Sequence, residues 1–295
     1  MNPAPSQPTD QTTLRALIDR LAHRLKPHTE TPRLDAQVLL GHILGKPRSW
    51  LLAHPEAEIT PQQKKALARA LSRLEAGIPL PYVLGHWEFY GLDFNIDPAV
   101  LIPRPETELL IEQALAWLRD HPDRRRAADI GTGSGCIAVT LAKLIPDLRV
   151  TATDISPKAL QIAQSNAEKH HVAERISLIK SDLLPNEKTN ADFDLICANL
   201  PYIPTETLHT LKVYGREPTL ALDGGLDGLD MIRRLLRQAP RRLTRGGLLL
   251  IEIDSSHSDG AISLAREAFP NADVRLLPDL AGHDRLIRIE REYQP

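Results

Sequence analysis

Aromatic residues make up 4% of this 295-residue chain, and cysteine and methionine occur twice each. Two cysteines, Cys136 and Cys197, both in apolar surroundings, exclude a disulfide scaffold and offer no metal-ligand spacing, a usage that suits a reducing cytosol. Eleven histidines form no HExxH or comparable cluster, so no metal site is expected. No apolar run approaches the ~18 residues of a membrane span. A formal net charge of -2 supplies no global basic field, so stable nucleic-acid binding is not expected. Arg124-Arg125-Arg126 and Arg241-Arg242 are the local exceptions, read as solvated faces. Residues 1–10 lie in a Pro-, Ser-, Gln- and Thr-rich stretch without the apolar core of a signal peptide; they read as a disordered tail of a cytoplasmic protein.

From residue 11 to 78 the apolar period is helical. Leu14, Leu17, Ile18, Leu21 and Leu25 form one stripe that stops before Pro27. Thr31-Pro32 opens a second helix closed by Gly45, and Thr60-Pro61-Gln62-Gln63 is a capping box opening another that ends at Gly77. Between 79 and 102 the period shifts toward alternation, interrupted at Gly91. This reads as a hairpin linker between two domains, and Tyr82, Trp87, Phe89, Tyr90 and Phe94 concentrate the scarce aromatics there, as in a packed joint.

From 103 to 295 strands and helices alternate, the pattern of a doubly wound α/β sheet. Strands are expected at 127–130, 149–153, 176–180, the run ending at Asn199, 248–253, 274–277 and 285–290, with helices between them, including 105–119, 157–170 and about 229–243. His170-His171 is placed on a solvated helix end.

Three strand ends carry chemistry. After the first comes Asp129-Ile130-Gly131-Thr132-Gly133-Ser134-Gly135, where glycines let the backbone turn tightly and approach a ligand at a helix amino terminus. No glycine follows at the dinucleotide spacing, which favours a ligand smaller than a pyrophosphate dinucleotide. Asp154, about 20 residues on, is placed to accept bonds from ribose hydroxyls. Asp182 ends the third strand and would meet an adenine amine, with Leu183 against the ring. The combination fits a nucleoside with an amino-acid tail, S-adenosyl-L-methionine.

The fourth strand ends in Asn199-Leu200-Pro201-Tyr202. The Asn amide supplies one acceptor and two donors, and the Tyr a packing face, suited to a planar group bearing an amine.

In these motifs the chain resembles the HemK/PrmC family of protein-glutamine methyltransferases. Further matches are Leu101-Ile102-Pro103-Arg104-Pro105-Glu106-Thr107-Glu108, the segment from Glu217 to Gly228, and Asp279-Leu280-Ala281-Gly282-His283-Asp284-Arg285. The resemblance implies a Rossmann-like S-adenosylmethionine-dependent methyltransferase sheet, mostly parallel with its last strand antiparallel. A small all-helical amino-terminal domain, joined by a β-hairpin, would contact the substrate. It also implies that the methyl acceptor is the glutamine amide of Gly-Gly-Gln in class-I peptide chain release factors; a monomer is expected. Gly131, Thr132, Gly133, Ser134, Gly135, Asp154, Asp182, Leu183 and Asn199 would bind the cofactor; Asn199, Leu200, Pro201 and Tyr202 would hold the glutamine.

Position 200 is Leu where the family has Pro, and Asn-Leu-Pro-Tyr also resembles the motif of ribosomal-RNA adenine dimethyltransferases. An adenine amine of RNA or DNA is therefore the alternative acceptor. Leu keeps the backbone carbonyl that Pro would offer but not its fixed φ, so a looser loop is expected. Ile251-Glu252-Ile253-Asp254 lacks the Gly and Gln expected after the acid.

Overall fold

The computed structural model describes residues 13–185 and 193–292; the expected amino-terminal tail lies outside them. Internal contacts divide the chain after Gly85 into two compact units.

The first unit is helical: α1 Leu14–Leu25, α2 Pro32–Leu44, α3 Arg48–Ala53, α4 Pro61–Glu75 and α5 Leu80–Leu84. Local sequence accounts for the ends. Thr13 caps α1, Gly45 closes α2 in the left-handed conformation, and Thr60 with Gln63 completes the capping box of α4. The leucines of the α1 stripe are buried, as are Leu39 and Leu40 of α2 and Leu67, Leu71 and Leu74 of α4. Residues 80–84, expected to be strand-like, form a helical turn instead. Pro79 caps its start, Pro81 lies in its first turn, and Gly85 stops it at φ +80°.

The second unit opens with a hairpin, β1 His86–Phe89 and β2 Leu92–Asn95. Its two-residue turn, Tyr90-Gly91, has positive φ at both positions, the I′ geometry whose twist matches the flanking strands. The remaining elements are α6 Glu108–Asp120, β3 Arg126–Ile130, α7 Cys136–Leu144, β4 Arg149–Asp154, α8 Pro157–Lys169, β5 Ile176–Lys180, β6 Phe193–Ala198, α9 Thr205–Leu208, α10 Asp230–Gln238, β7 Leu243–Glu252, α11 Ser258–Ala268, β8 Ala272–Pro278 and β9 Asp284–Arg291.

The larger sheet runs β5-β4-β3-β6-β7-β9-β8. β3 to β7 are mutually parallel, and β9 is antiparallel to both neighbours. All six residues of β6 are buried, as in a strand covered on both faces, and all but Asp194 are apolar. One core joins Ile196 and Ala198 of β6, Leu249 and Ile251 of β7 and Ile287 of β9 to Leu235 of α10 and Ala265 of α11. The expected helix to 243 ends at Gln238, because Pro240 cannot continue it and a 3-10 turn carries the chain into β7.

The arginine clusters are solvated only in part: Arg126 and Arg241 are exposed, while Arg124, Arg125 and Arg242 turn inward. Arg124 and Arg126 both pair with the buried carboxylate of Asp194, and Arg125 donates to three backbone carbonyls. Arg242, 7% exposed, donates to Pro185 O and lies over the Phe193 ring. These groups sit at the amino-terminal ends of β3 and β6. His170-His171 does end α8, with His171 exposed, but the His170 ring is held by Asp93 O at 2.9 Å and packs against Phe94.

Candidate active site

Chain order reverses between β3 and β6, and the crevice beyond the carboxyl ends of strands at such a point is where open α/β sheets hold ligands. Register brings the motifs together there. Ile130 pairs with Ala198, so Gly131 and Asn199 leave the sheet side by side; Ala198 also pairs with Ile251, placing Glu252 next to Asn199 on its other side.

The glycine loop is held from beneath. The N–H groups of Gly131 and Thr132 donate to Thr153 O at 2.9 and 2.8 Å. Asp129, buried under the loop, accepts from the Thr132 hydroxyl at 2.6 Å and from Ala138 N–H at 3.1 Å. Burial drives its pKa up to about 6 against those bonds, and the nearby Asp154 charge adds to the rise. Gly135, at φ +81°, faces α8 so closely that a Cβ would meet Ala163 at 3.1 Å.

Asp154 accepts Gly133 N–H on one carboxylate oxygen at 3.0 Å and Ser156 N–H on the other at 2.8 Å. Its half-buried carboxylate is thereby aimed into the crevice with lone pairs to spare. Asp182 pairs with Arg234, and Leu183 is held at φ +68°, a conformation leucine seldom adopts. These groups wall a cavity of about 830 Å³. Every expected site residue lines it except Gly135, which packs on α8, and Tyr202.

The hairpin contributes through Asn166 of α8. This fully buried amide accepts from Asn95 N–H at 2.7 Å and donates to Asn95 O at 2.9 Å and Ser134 O at 2.8 Å. All of its bonds span hairpin and glycine loop, and the chain leaving the hairpin, from Asp97 to Arg104, forms another cavity wall.

At the acceptor motif Leu200 is 4% exposed and belongs to the core cluster, its Cδ2 against Gly131. The loop is therefore anchored by its side chain, where Pro would have fixed φ alone. Behind it run polar contacts that sequence reasoning missed. Asn199 Nδ2 donates to the Thr107 hydroxyl at 3.0 Å, which donates to Glu252 at 2.7 Å; the Tyr202 hydroxyl reaches the other Glu252 oxygen at 3.4 Å. Glu252 is 1% exposed. Burial lifts its pKa to about 7, opposed by the Thr107 bond and the Arg285 charge. A carboxylate closing the apolar run Leu248-Leu249-Leu250-Ile251 was the available signal for it.

Two further segments brace the motif. Ile203 N–H donates to Leu222 O, and Gly224 N–H to Ile203 O, so the segment after Glu217 lies along Tyr202 and Ile203. Glu217 accepts Ile102 N–H at 3.1 Å and pairs with Arg104.

The donor set fits a nucleoside bearing an amino-acid tail: an open glycine backbone, the Asp154 carboxylate held at the end of the next strand, and a leucine held beside Asp182. Fold and site define a Rossmann-like, S-adenosylmethionine-dependent methyltransferase. Residues 13–85 match the PrmC N-terminal domain and residues 106–213 the methyltransferase small domain. The chain is 46% identical over 275 residues to a release factor glutamine methyltransferase of Moorella thermoacetica, covering 92% of this chain and 96% of that one. It is 41% identical over 278 residues to one of Koribacter versatilis, covering 94% and 97%. The chain belongs to the release factor glutamine methyltransferase family. Its fold also resembles that of the N-terminal domain of human METTL16 in complex with SAH, with a TM-score of 0.51 at 16% identity over 86% of this chain and 94% of that one. Among the described residues no helix is long and apolar enough to cross a membrane.

Proposed function

We propose that this chain transfers the methyl group of S-adenosylmethionine to the side-chain amide nitrogen of the glutamine in Gly-Gly-Gln of class-I peptide chain release factors. The observation that carries this reading is Asn199, half-buried on the cavity wall beside the glycine loop, its amide tied through Thr107 to a buried carboxylate. The consumption of the Arg124–Arg126 cluster and of Arg242 in internal bonds argues against the alternative, an adenine amine of RNA or DNA.

When bound, the cofactor supplies a methyl group already activated by a sulfonium. Gly131, Thr132, Gly133 and Ser134 would hold its amino-acid tail, Asp154 its ribose, and Asp182 with Leu183 its adenine, while Gly135 seats the loop on α8. The difficulty lies with the acceptor, since an amide nitrogen delocalises its lone pair into the carbonyl. Asn199 Oδ1 and the Leu200 carbonyl accept the two hydrogens of the glutamine amide and aim its nitrogen. Pro201 stiffens the turn, and Tyr202, which does not line the cavity, braces the motif from behind through Glu252. Positioning of this kind is worth roughly 7–11 kcal/mol when the geometry is near attack. No general base is needed, because an alkylated amide releases its extra proton readily.

The enzyme acts as a cytoplasmic monomer. Residues 11–78 are the release-factor recognition domain, 79–102 the linker, and 103–295 the catalytic domain. Incubation with labelled cofactor and a release factor, its Gly-Gly-Ala variant or ribosomal RNA tests the reading. Label in the intact factor alone supports it; label only in RNA, or in the Ala variant as well, rejects it.

A further inference from the structure

Resting on the reading above, the contacts behind the acceptor motif have a direction. In its ionised form the Glu252 carboxylate accepts hydrogen bonds and donates none, so in that form the single proton of the Thr107 hydroxyl points to Glu252 at 2.7 Å. The oxygen of Thr107 is then left with lone pairs only, and Asn199 must turn its NH₂ toward it, as it does at 3.0 Å. The other end of the same amide, Oδ1, is what remains for the cavity that Asn199 and Thr107 both line. The other oxygen of Glu252 takes the Tyr202 hydroxyl, so both polar side chains of the motif answer to one buried carboxylate.

We propose that Thr107 and Glu252 are positioning residues that fix which end of the Asn199 amide faces the substrate. An Asn free to flip would present NH₂ donors to the glutamine NH₂ in half of its states, where neither partner can accept. The relay selects the acceptor end before the glutamine arrives, so orientation is not taken out of binding energy at each turnover. Thr107 suits the task because it caps nothing: it sits at the junction of the 3-10 turn 105–107 with α6, and its hydroxyl has no helix N–H to serve.

The test compares Thr107→Val, Thr107→Ser, Glu252→Gln and the Val/Gln double variant on a release factor, with cofactor affinity measured by calorimetry. Thr107→Val should lower kcat by about 10²-fold, the scale of a misplaced reacting group, while KM and cofactor Kd hold. Thr107→Ser, which keeps the hydroxyl, should recover most of the rate. Glu252→Gln can accept from only one of the two hydroxyls and should also slow turnover. The double variant should be no slower than Thr107→Val, because the two act as one unit. Near-normal kcat in Thr107→Val, effects that multiply in the double variant, or loss of cofactor affinity in step with rate each overturn the proposal. Should Thr107→Val not fold, a folded Glu252→Gln with normal kcat does the same. An acceptor-free measurement separates this idea from the reading it rests on. The Asn199 side-chain NH₂ resonances should keep their shift and slow exchange in Thr107→Ser and lose both in Thr107→Val. A wild-type enzyme that leaves the release factor unlabelled sinks the assigned substrate, whereas unchanged Asn199 resonances in Thr107→Val sink the relay.

Discussion

Leu200 rests on Gly131: a Cβ at the glycine would stand 3.1 Å from Leu200 Cδ2, and Gly131 itself holds φ at +73°. The loop proposed to hold the methyl donor and the motif proposed to hold the acceptor are thus in direct contact, and a change in one displaces the other. Gly131→Ala should cost about 1–3 kcal/mol from the positive φ alone. Beyond that it should weaken cofactor binding and slow turnover together, read by calorimetry and steady-state rates. Leu200→Ala, which empties a core position, should lower stability by about 2–5 kcal/mol in urea melts. Retained stability there would mean that the loop does not depend on this side chain.

Asn199→Ala removes the acceptor oxygen and leaves the glycine loop untouched. Turnover of the release factor should fall by at least about 10²-fold. The cofactor Kd should stay within a few-fold of wild type, so equilibrium dialysis beside the methylation assay decides between an orienting and a merely structural role.

Asp154 is held by Gly133 and Ser156 N–H groups at the mouth of the cavity. Asp154→Ala takes away the proposed ribose acceptor and strands both donors. Cofactor affinity should drop by about 10- to 100-fold, or ~1.4–2.8 kcal/mol, while the far-ultraviolet spectrum is kept. Unaltered affinity would move the ribose elsewhere.

Glu252 and Asp129 give stability a pH dependence. Their ordinary values are 4.5 and 3.8, and burial raises them to about 7 and about 6 in the fold. The folded state therefore binds more protons than the unfolded one in between, and stability falls as pH rises. The contribution is complete below the ordinary values and lost as pH climbs through about 6 and then about 7. The slope is at most about 1.4 kcal/mol per pH unit for each group. Glu252→Gln should flatten the decline between about 4.5 and 7 in urea melts run at stepped pH, leaving the Asp129 portion. Parallel curves for the two proteins would show that Glu252 is not buried as a proton acceptor.

What the amino-acid sequence determined by itself was local. Apolar period and turn chemistry set the order of helices and strands, Thr60 with Gln63 wrote its own cap, and glycine was required where the loop after β3 turns at positive φ. Asn199 and Asp154 were legible as site candidates because strand ends in an alternating α/β chain face one crevice. Residues 80–84 escaped because two prolines and a glycine bias a short turn that periodicity cannot register. Only the tertiary structure decided which distant groups meet. Thr107 and Glu252 stand 145 positions apart, and Arg104 and Glu217 113. Sheet order and register, which depend on how the whole core packs, bring Thr107 and Glu252 beside Asn199. Burial there turns Glu252, an acid that local sequence would leave to solvent, into the fixed end of a directed hydrogen-bond relay.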